Sequence, residues 1–590
     1  METVIDFDGR IIELPSGSKA AIEALADKNG VTVEVSLDYR ASYGMGEHFS
    51  RINYKNHTIK HLVKEVFCNQ GDDTYISIPF FVTDAGMGMY IDCDREFEIE
   101  FGEKITFSVP AETEIELYTG TPLDIIAAFN NRMGHITPIG TEYLGPWISA
   151  NHWNSEEKTY AAVRTAKELG FPVSVIVLEA WSDEATFYIF NGAEYEVKTD
   201  GSAYTYEDFD FSESKYWHDP KGMIQKLKDE GISTVLWQIP VYKKLSENEA
   251  FNKQNSLDEE KAIREGLCVY EDDGTPYRIP KGNWFEGSLI PDFTNARTKE
   301  DWFAKRKYLL DIGVSGFKTD GGEFIYKDNL KFADGKSGRD KKNTYCQDYV
   351  DSYSDFVGND RILFSRAGTK HSAQTPAHWA GDHQSTNDEL RNVFIAAMSA
   401  AASGIIYWSF DIGGFAGPMP SLDLYRRATQ FAVFTPIMQW HSEPDGGQFK
   451  EIMAGAEGNN ERSPWNIAAL YDSPNFLEEM RYWHNLRMEL IPYIYEELKD
   501  SAAKGIPLMR PLVLTEFCEE SGKNMELLET EYFFGSKLLV APLLNENEMH
   551  RDVYLPDGRF KGFFSGTEYE GGRIISSKAE KYPVYELIQG

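Results

Sequence analysis

The sequence predicts a (β/α)8 TIM barrel flanked by an N-terminal and a small C-terminal β-sandwich, and two patterns predict it. Across the middle of the chain, amphipathic helical stretches alternate with short, wholly apolar runs, as parallel strands buried on both faces require. On either side the pattern changes to period-two alternation broken by turn residues, which marks antiparallel sheets. The expected division is an N-terminal sandwich over 1–127, a barrel with insertions over 128–504 and a C-terminal sandwich over 505–590.

The N-terminal strands are VTVEVSLDYR, DTYISIPFFVT and GMYIDCDREFEIEFGEKITFSV. The first barrel unit pairs the helix KTYAAVRTAKELGF, stopped at Gly170, with the strand PVSVIVLEAW. PKGMIQKLKDEGI with STVLWQIPVY, RTKEDWFAKRKYLLDIGV with SGFKTDGGEF, and DYVDSYSDFVGND with RILFSRAG repeat it. An Ala-rich helix followed by GIIYWSFDIGG makes a fifth. So many units favour a closed barrel over an open doubly wound sheet. Val393 to Phe410 carries no charge over 18 positions, yet Ser399, Ser403 and Gly404 interrupt it, so it reads as buried helix plus strand rather than a membrane span. A long helix around MRYWHNLRMELIPYIYEEL leads into the short strands of EYFFGSKLLVAPLL and RDVYLPDGRFKGFF.

With 59 Lys and Arg against 94 Asp and Glu, the formal charge of −35 repels phosphate backbones and anionic lipid, which argues against nucleic-acid and membrane partners. An aromatic content of 14% suits a neutral, polar, flat-faced partner such as a sugar, although most aromatics belong to the core. Cys68, Cys93, Cys268, Cys346 and Cys518 are scattered and odd in number, which argues against a disulfide framework. METVIDFDGR lacks the basic start of a secretory leader, so the expected location is cytoplasmic.

In a barrel of this kind the C-terminal strand ends carry the chemistry. Here they offer Glu179 and Trp181, Trp237 and Gln238, Lys318 with Asp320 and Glu323, Arg366, and Asp411, while the loop after RILFSRAG adds Trp379 and Asp382. Two carboxyls on one face, flanked by aromatics and an arginine, are what glycoside cleavage needs: one to attack the anomeric carbon, one to protonate the leaving oxygen. Lys318, two residues before Asp320, is expected on the same side of its strand, holding that carboxylate charged. Asp382, in HWAGDH, is expected to be desolvated enough to act as an acid. His371, His378 and His383 match no common ligand spacing, so no metal is expected, and no GxSxG elbow is present.

At these residues the sequence resembles glycoside hydrolase family 31, which includes α-glucosidases, α-xylosidases and sulfoquinovosidases. GFKTDGGEF resembles its nucleophile strand, implying Asp320 as nucleophile. SRAGTKHSAQTPAHWAGDH implies Arg366 as a sugar-hydroxyl ligand and Asp382 as general acid/base. YWSFDIGGF and FTPIMQWHS imply Asp411 and His441 as hydroxyl ligands. Trp237 and Trp379 are expected to wall the pocket. ASYGMGEHF and YISIPFFVT resemble the family's N-terminal sandwich, PLMRPLVLTEF and FGSKLLVAPLL its proximal C-terminal one. The N-terminal domain is shorter than usual, and the distal β domain of many members is not expected after YPVYELIQG.

One departure bears on specificity. α-Glucosidases of the family show Asp-Ile-Asp at the strand end that binds the sugar's outer hydroxyls, whereas this chain reads VLEAW, putting Glu179 and Trp181 there. No Arg or Lys lies between Gly170 and Glu196, which disfavours a sulfonate. The resemblance implies a cofactor-free retaining exo-acting α-glycoside hydrolase acting on a small oligosaccharide or glycoside. The glycone expected is an α-glucoside or a related α-galactoside, α-N-acetylgalactosaminide, α-xyloside or sulfoquinovoside. Transglycosylation by the same two aspartates is the alternative chemistry, and a catalytically silent carbohydrate-binding protein the alternative class. A homo-oligomer is left open.

Overall fold

The computed structural model describes residues 2–442 apart from Ser16, Asn29 and Pro376, then 460–515 and 525–589. Its N-terminal part is a sandwich of a five-stranded and a six-stranded sheet, antiparallel throughout. Val31–Ser36 shows why: Val31, Val33 and Val35 alternate into a dry core while Thr32, Glu34 and Ser36 face out. The helix Pro122–Met133 follows and packs on the five-stranded sheet, so closely that a Cβ on Gly88 would meet Ile125 Cγ2 at 2.4 Å. Residue 127 lies inside this helix.

Eight parallel strands follow: β1 (Pro146–Ala150), β2 (Val175–Leu178), β3 (Ser233–Gln238), β4 (Gly316–Thr319), β5 (Ile362–Ser365), β6 (Ala377–Trp379), β7 (Trp408–Ser409) and β8 (Met438–Ser442). They run in sequence order around the sheet, with β8 beside β1. The seam between β7 and β8 is closed by a parallel bridge from Asp411 to Gln439, with Ile412 N donating to Gln439 O at 3.0 Å. The sheet is therefore a barrel.

Three strands are absent from the five helix–strand units read in the sequence. β1 and β8 carry polar residues among the apolar ones (PWISA, MQWHS), and β6 is only three residues long. The alternation also breaks between β5 and β6, where turns replace a helix. The uncharged stretch from Val393 becomes the end of the helix Asn387–Ala402 and then β7. Its serines have a use: Ser399 Oγ and Ser403 Oγ donate to Gly46 O at 2.8 and 3.0 Å, binding this helix to the sandwich. Among the described residues no helix is long and apolar enough to cross a membrane.

The long helix Pro474–Lys504 ends on left-handed Gly505 and fastens the barrel through buried Arg487, whose guanidinium donates to the carbonyls of Leu144, Val433, Thr435 and Pro436. A six-stranded antiparallel sheet and a two-stranded ribbon complete the chain. Cys93, Cys268 and Cys346 are free and buried, and Cys68 is buried; Cys518 lies outside the described residues.

Candidate active site

Polar side chains gather at one rim of the barrel, at or just past the C-terminal ends of the strands. Asp320 directly follows β4, and its backbone N–H continues the ladder by donating to Gln238 O at 2.9 Å. Three donors address its side chain: Trp237 Nε1 to Oδ2 at 2.9 Å, Gly321 N to Oδ1 at 2.8 Å, and Arg366 Nη1 at 3.2 Å from Oδ1. Arg366 is itself locked, gripping Glu323 with Nε and Nη2 at 3.1 and 3.0 Å under the rings of Tyr75 and Trp284.

Lys318 feels the charge of Asp320, as its spacing predicts, but makes its direct contact with another carboxylate. Its ammonium lies 2.5 Å from Glu179 Oε1, over the ring of Trp379 at 4.5 Å, so Arg366 is the cation in contact with Asp320. Lys318 pairs with Trp237 in register, and its ammonium reaches across β3 to Glu179 just past the end of β2. Glu179 also receives His441 Nε2 at 3.3 Å. Burial works against its charge, but His441 and Lys318 overcome burial and hold the carboxyl down at about 2. The partners of Lys318 likewise outweigh its burial and push its pKa up.

Asp382, beyond β6, is treated in the opposite way. Burial, then the charge of Asp320, pushes its pKa well above the ordinary value despite Arg366 and Lys318. Among the described residues its carboxyl makes no hydrogen bond, whereas its backbone O accepts Gln70 Nε2 at 2.9 Å. Gln70 and Tyr75 come from the sandwich, which thereby forms part of the site wall. The contact is close: a Cβ on Gly381 (φ +70) would meet Tyr75 Cε2 at 2.3 Å, so glycine is required there on both conformational and steric grounds.

Asp411 is fully buried, with Oδ1 accepting Gln439 Nε2 at 2.8 Å; His441 stacks on Phe415, and among the described residues Asp411 Oδ2 and His441 Nδ1 have no hydrogen-bond partner. Trp237 is partly exposed at the rim. Trp379, expected as a pocket wall, is almost fully buried against Phe364 beneath Lys318. Trp181, expected to touch substrate, has no exposed surface: it packs on Phe190 and donates Nε1 to Trp237 O at 2.9 Å, bracing Trp237 from behind. The three histidines diverge, with His371 on Asp351 and both ring nitrogens of His378 on backbone carbonyls. Among the described residues no cluster of three metal-ligating side chains occurs.

A cavity of about 690 Å³ opens from Glu179 and Trp237 to Asn151 and His152 after β1 and to Trp284 and Phe285 in the β3–β4 insertion. The glycosyl hydrolases family 31 TIM-barrel domain model matches residues 141–497, and the glycosyl hydrolase family 31 C-terminal domain model matches 505–586. The chain belongs to glycosyl hydrolase family 31. It is 36% identical over 560 residues to an isomaltosyltransferase of Sporosarcina globispora, covering 92% of this chain and 50% of that protein. It is 34% identical over 558 residues to a 1,3-alpha-isomaltosidase of Kribbella flavida, covering 92% of this chain and 75% of that one. A cycloalternan-degrading enzyme from Trueperella pyogenes, solved in complex with a covalent intermediate, superposes with a TM-score of 0.89 at 29% identity, covering 98% of this chain and 80% of that one. The chain spans half the length of the isomaltosyltransferase.

The structure thus brings Asp320, Asp382, Arg366, Glu179, Lys318, Asp411 and His441 together at one barrel mouth. Gln70, Tyr75 and Trp284 escaped sequence reasoning. The first two belong to another domain and the third lies far from any strand end, so strand periodicity carried no signal for them.

Proposed function

We propose that this family 31 chain is a retaining exo-acting α-glycosidase acting on α-linked glucosides. The observation that carries the reading is the pairing of two unlike carboxyls: Asp320, addressed by three donors, and Asp382, unbonded and with its pKa raised. Asp320 attacks the anomeric carbon as the glycosidic bond breaks and the departing oxygen takes the proton of Asp382. Asp382 then removes a proton from water, whose oxygen displaces Asp320 and releases the sugar. Arg366, Asp411 and His441 hold ring hydroxyls, and Glu179, kept charged by Lys318, takes the outer ones. The covalent intermediate of the Trueperella neighbour supports retention, and the names of the isomaltosyl relatives favour α-glucosyl units over xylosyl or galactosyl ones.

The transferase relative supports a second outcome, in which a sugar hydroxyl replaces water in the last step. The test is hydrolysis of nitrophenyl α-glucoside, α-xyloside, α-galactoside, α-N-acetylgalactosaminide and α-sulfoquinovoside, with products analysed at high substrate concentration. Asp320→Asn is expected to retain its fold and lose activity by about a thousandfold or more. Substantial residual turnover would overturn the nucleophile assignment, and silence of the native protein on the whole panel would revive a carbohydrate-binding role.

A further inference from the structure

The sandwich reaches the barrel mouth through a strap, residues 63–76, that is fastened on both sides. A parallel bridge between Val63 and Thr74 closes its base. Val63 N donates to Asn343 Oδ1 at 2.8 Å, in the β4–β5 connection, and Asn69 N donates to Glu389 Oε2 at 3.4 Å, on the helix that follows β6. Between these anchors Cys68 and Asn69 both have left-handed backbones, φ +57 and +48, a conformation that persists in non-glycine residues only where the surroundings hold it. Cys68 packs on Phe415, the ring that stacks on His441.

Tyr75 and Gln70 are where the strap meets the two carboxyls. Ile76 forms a parallel bridge with Gly368, two residues past Arg366: Gly368 N donates to Tyr75 O at 3.2 Å and Ser77 N to Gly368 O at 3.3 Å. That backbone fixes the Tyr75 ring, which has no exposed surface, with the Arg366 guanidinium 4.6 Å from its centroid and Gly381 against its edge. Arg366 contacts Asp320 and Gly381 precedes Asp382, so a single ring touches the supports of both. Gln70 closes the other end. Its Nε2 donates to Asp382 O at 2.9 Å and to the Tyr75 hydroxyl at 3.3 Å, and that hydroxyl donates to Val66 O. The Asp382 carboxyl has no hydrogen-bond partner among the described residues, so its place is set through its backbone, which the strap holds.

We infer that Tyr75 and Gln70 are positioning residues for the proposed cleavage: the Tyr75 ring spaces Arg366, and through it Asp320, from the loop of the acid, while Gln70 holds Asp382 beside the oxygen it protonates. The inference rests on the Asp320–Asp382 reading, and it makes the sandwich part of the catalytic apparatus. Both side chains stand against the acid's loop, and burial is the first cause of the raised Asp382 pKa, so loosening the strap admits water and lets that carboxyl fall back toward its ordinary value.

Gln70→Leu removes the tie to Asp382 O and keeps most of the volume. On phenyl α-glucoside, whose leaving group needs a proton, it should lower kcat about tenfold with KM within about threefold, and move the alkaline limb of the pH–rate profile to lower pH. On α-glucosyl fluoride, which needs no proton, kcat should fall less than about threefold. Tyr75→Leu also strips the ring from Arg366 and should lower kcat on both substrates about a hundredfold, whereas Tyr75→Phe should keep the fluoride rate within about threefold of native. Equal losses on the two substrates in Gln70→Leu with the limb unmoved, or a Tyr75→Phe variant as slow on the fluoride as Tyr75→Leu, would overturn the inference. The catalytic reading has its own control, since Asp382→Ala with native rates sinks it. In that event infrared titration of the Asp382 carboxyl, seen as the band absent from Asp382→Asn, decides the rest: a midpoint lowered by Gln70→Leu keeps the positioning role, and an unmoved one removes it.

Discussion

Glu179 at the end of β2 and Asp382 beyond β6 are both desolvated carboxyls at one barrel mouth, and their surroundings drive them apart. Glu179 has a lysine and a histidine in contact and is held ionised down to about pH 2; the Asp382 carboxyl has no hydrogen-bond partner among the described residues, feels Asp320, and keeps its proton to higher pH. Burial penalises charge on both. What differs is whether a cation touches the carboxyl, and under the proposed function that contact suits one group to binding and the other to proton transfer.

The largest break in this comparison is Asp382→Ala. It should lower kcat/KM on unactivated glycosides by about 10²–10⁴-fold. α-Glucosyl fluoride, whose leaving fluoride needs no proton, should lose far less. A raised pKa means that the acid is lost as pH rises through it, so the native pH–rate profile should fall on its alkaline side and the variant should lack that limb. An alkaline limb that persists in Asp382→Ala would assign the titration elsewhere.

Next comes Lys318→Met, which leaves Glu179 buried with only His441 as counter-charge. Removing one partner of a buried pair costs about 3–5 kcal/mol, measurable by denaturant unfolding at neutral pH. The sign with pH is fixed by the depressed pKa: the stabilisation from Glu179 is fully present above its ordinary value of 4.5 and is lost as pH falls toward about 2. Glu179→Gln should flatten acid unfolding over that interval. Unchanged acid sensitivity would mean that the pair carries no net stability.

These effects also show how far the site was legible in the sequence. Asp320, Arg366 and Asp411 are polar residues ending apolar strands, a one-dimensional signal that survives without coordinates, whereas Asp382 is legible only as a loop residue and His441 only through the family resemblance. Which cation meets which carboxylate is not such a signal: Lys318 lies in β4 and Asp320 directly after it, yet the ammonium meets Glu179 while Arg366, just past β5, reaches Asp320. Trp181 stands two residues past Glu179 and was grouped with it, but the chain turns and buries the indole behind Trp237. The fold was clearer than the site because five helix–strand units repeat one pattern. β1, β6 and β8 escaped because short strands with polar residues lack it.

Trp237→Phe sharpens the comparison from the nucleophile side. It removes the N–H donor to Asp320 Oδ2 and keeps most of the ring, while Gly321 N and Arg366 remain. A hydrogen bond to a charged group contributes about 1.5–3 kcal/mol, so kcat/KM should fall on the order of ten- to a hundredfold, mostly in kcat.

Trp181→Phe is the smallest expected change, because it tests a residue one step removed. The substitution deletes the N–H that donates to Trp237 O, but that oxygen still accepts Gln238 Nε2 at 2.9 Å, so Trp237 keeps one of its two braces. Phenylalanine is smaller than the indole it replaces, and the space left against Phe190 should destabilise the fold by about 1–3 kcal/mol, read as a lower unfolding midpoint. Activity is a separate measurement: with no exposed surface Trp181 cannot stack on a sugar, so kcat and KM on nitrophenyl α-glucoside should each stay within about threefold of the native values, a shift of under 1 kcal/mol. A rise in KM larger than that produced by Trp237→Phe, at unchanged stability, would show that the indole reaches substrate, and would return the β2 side of the mouth to the direct binding role its sequence position suggests.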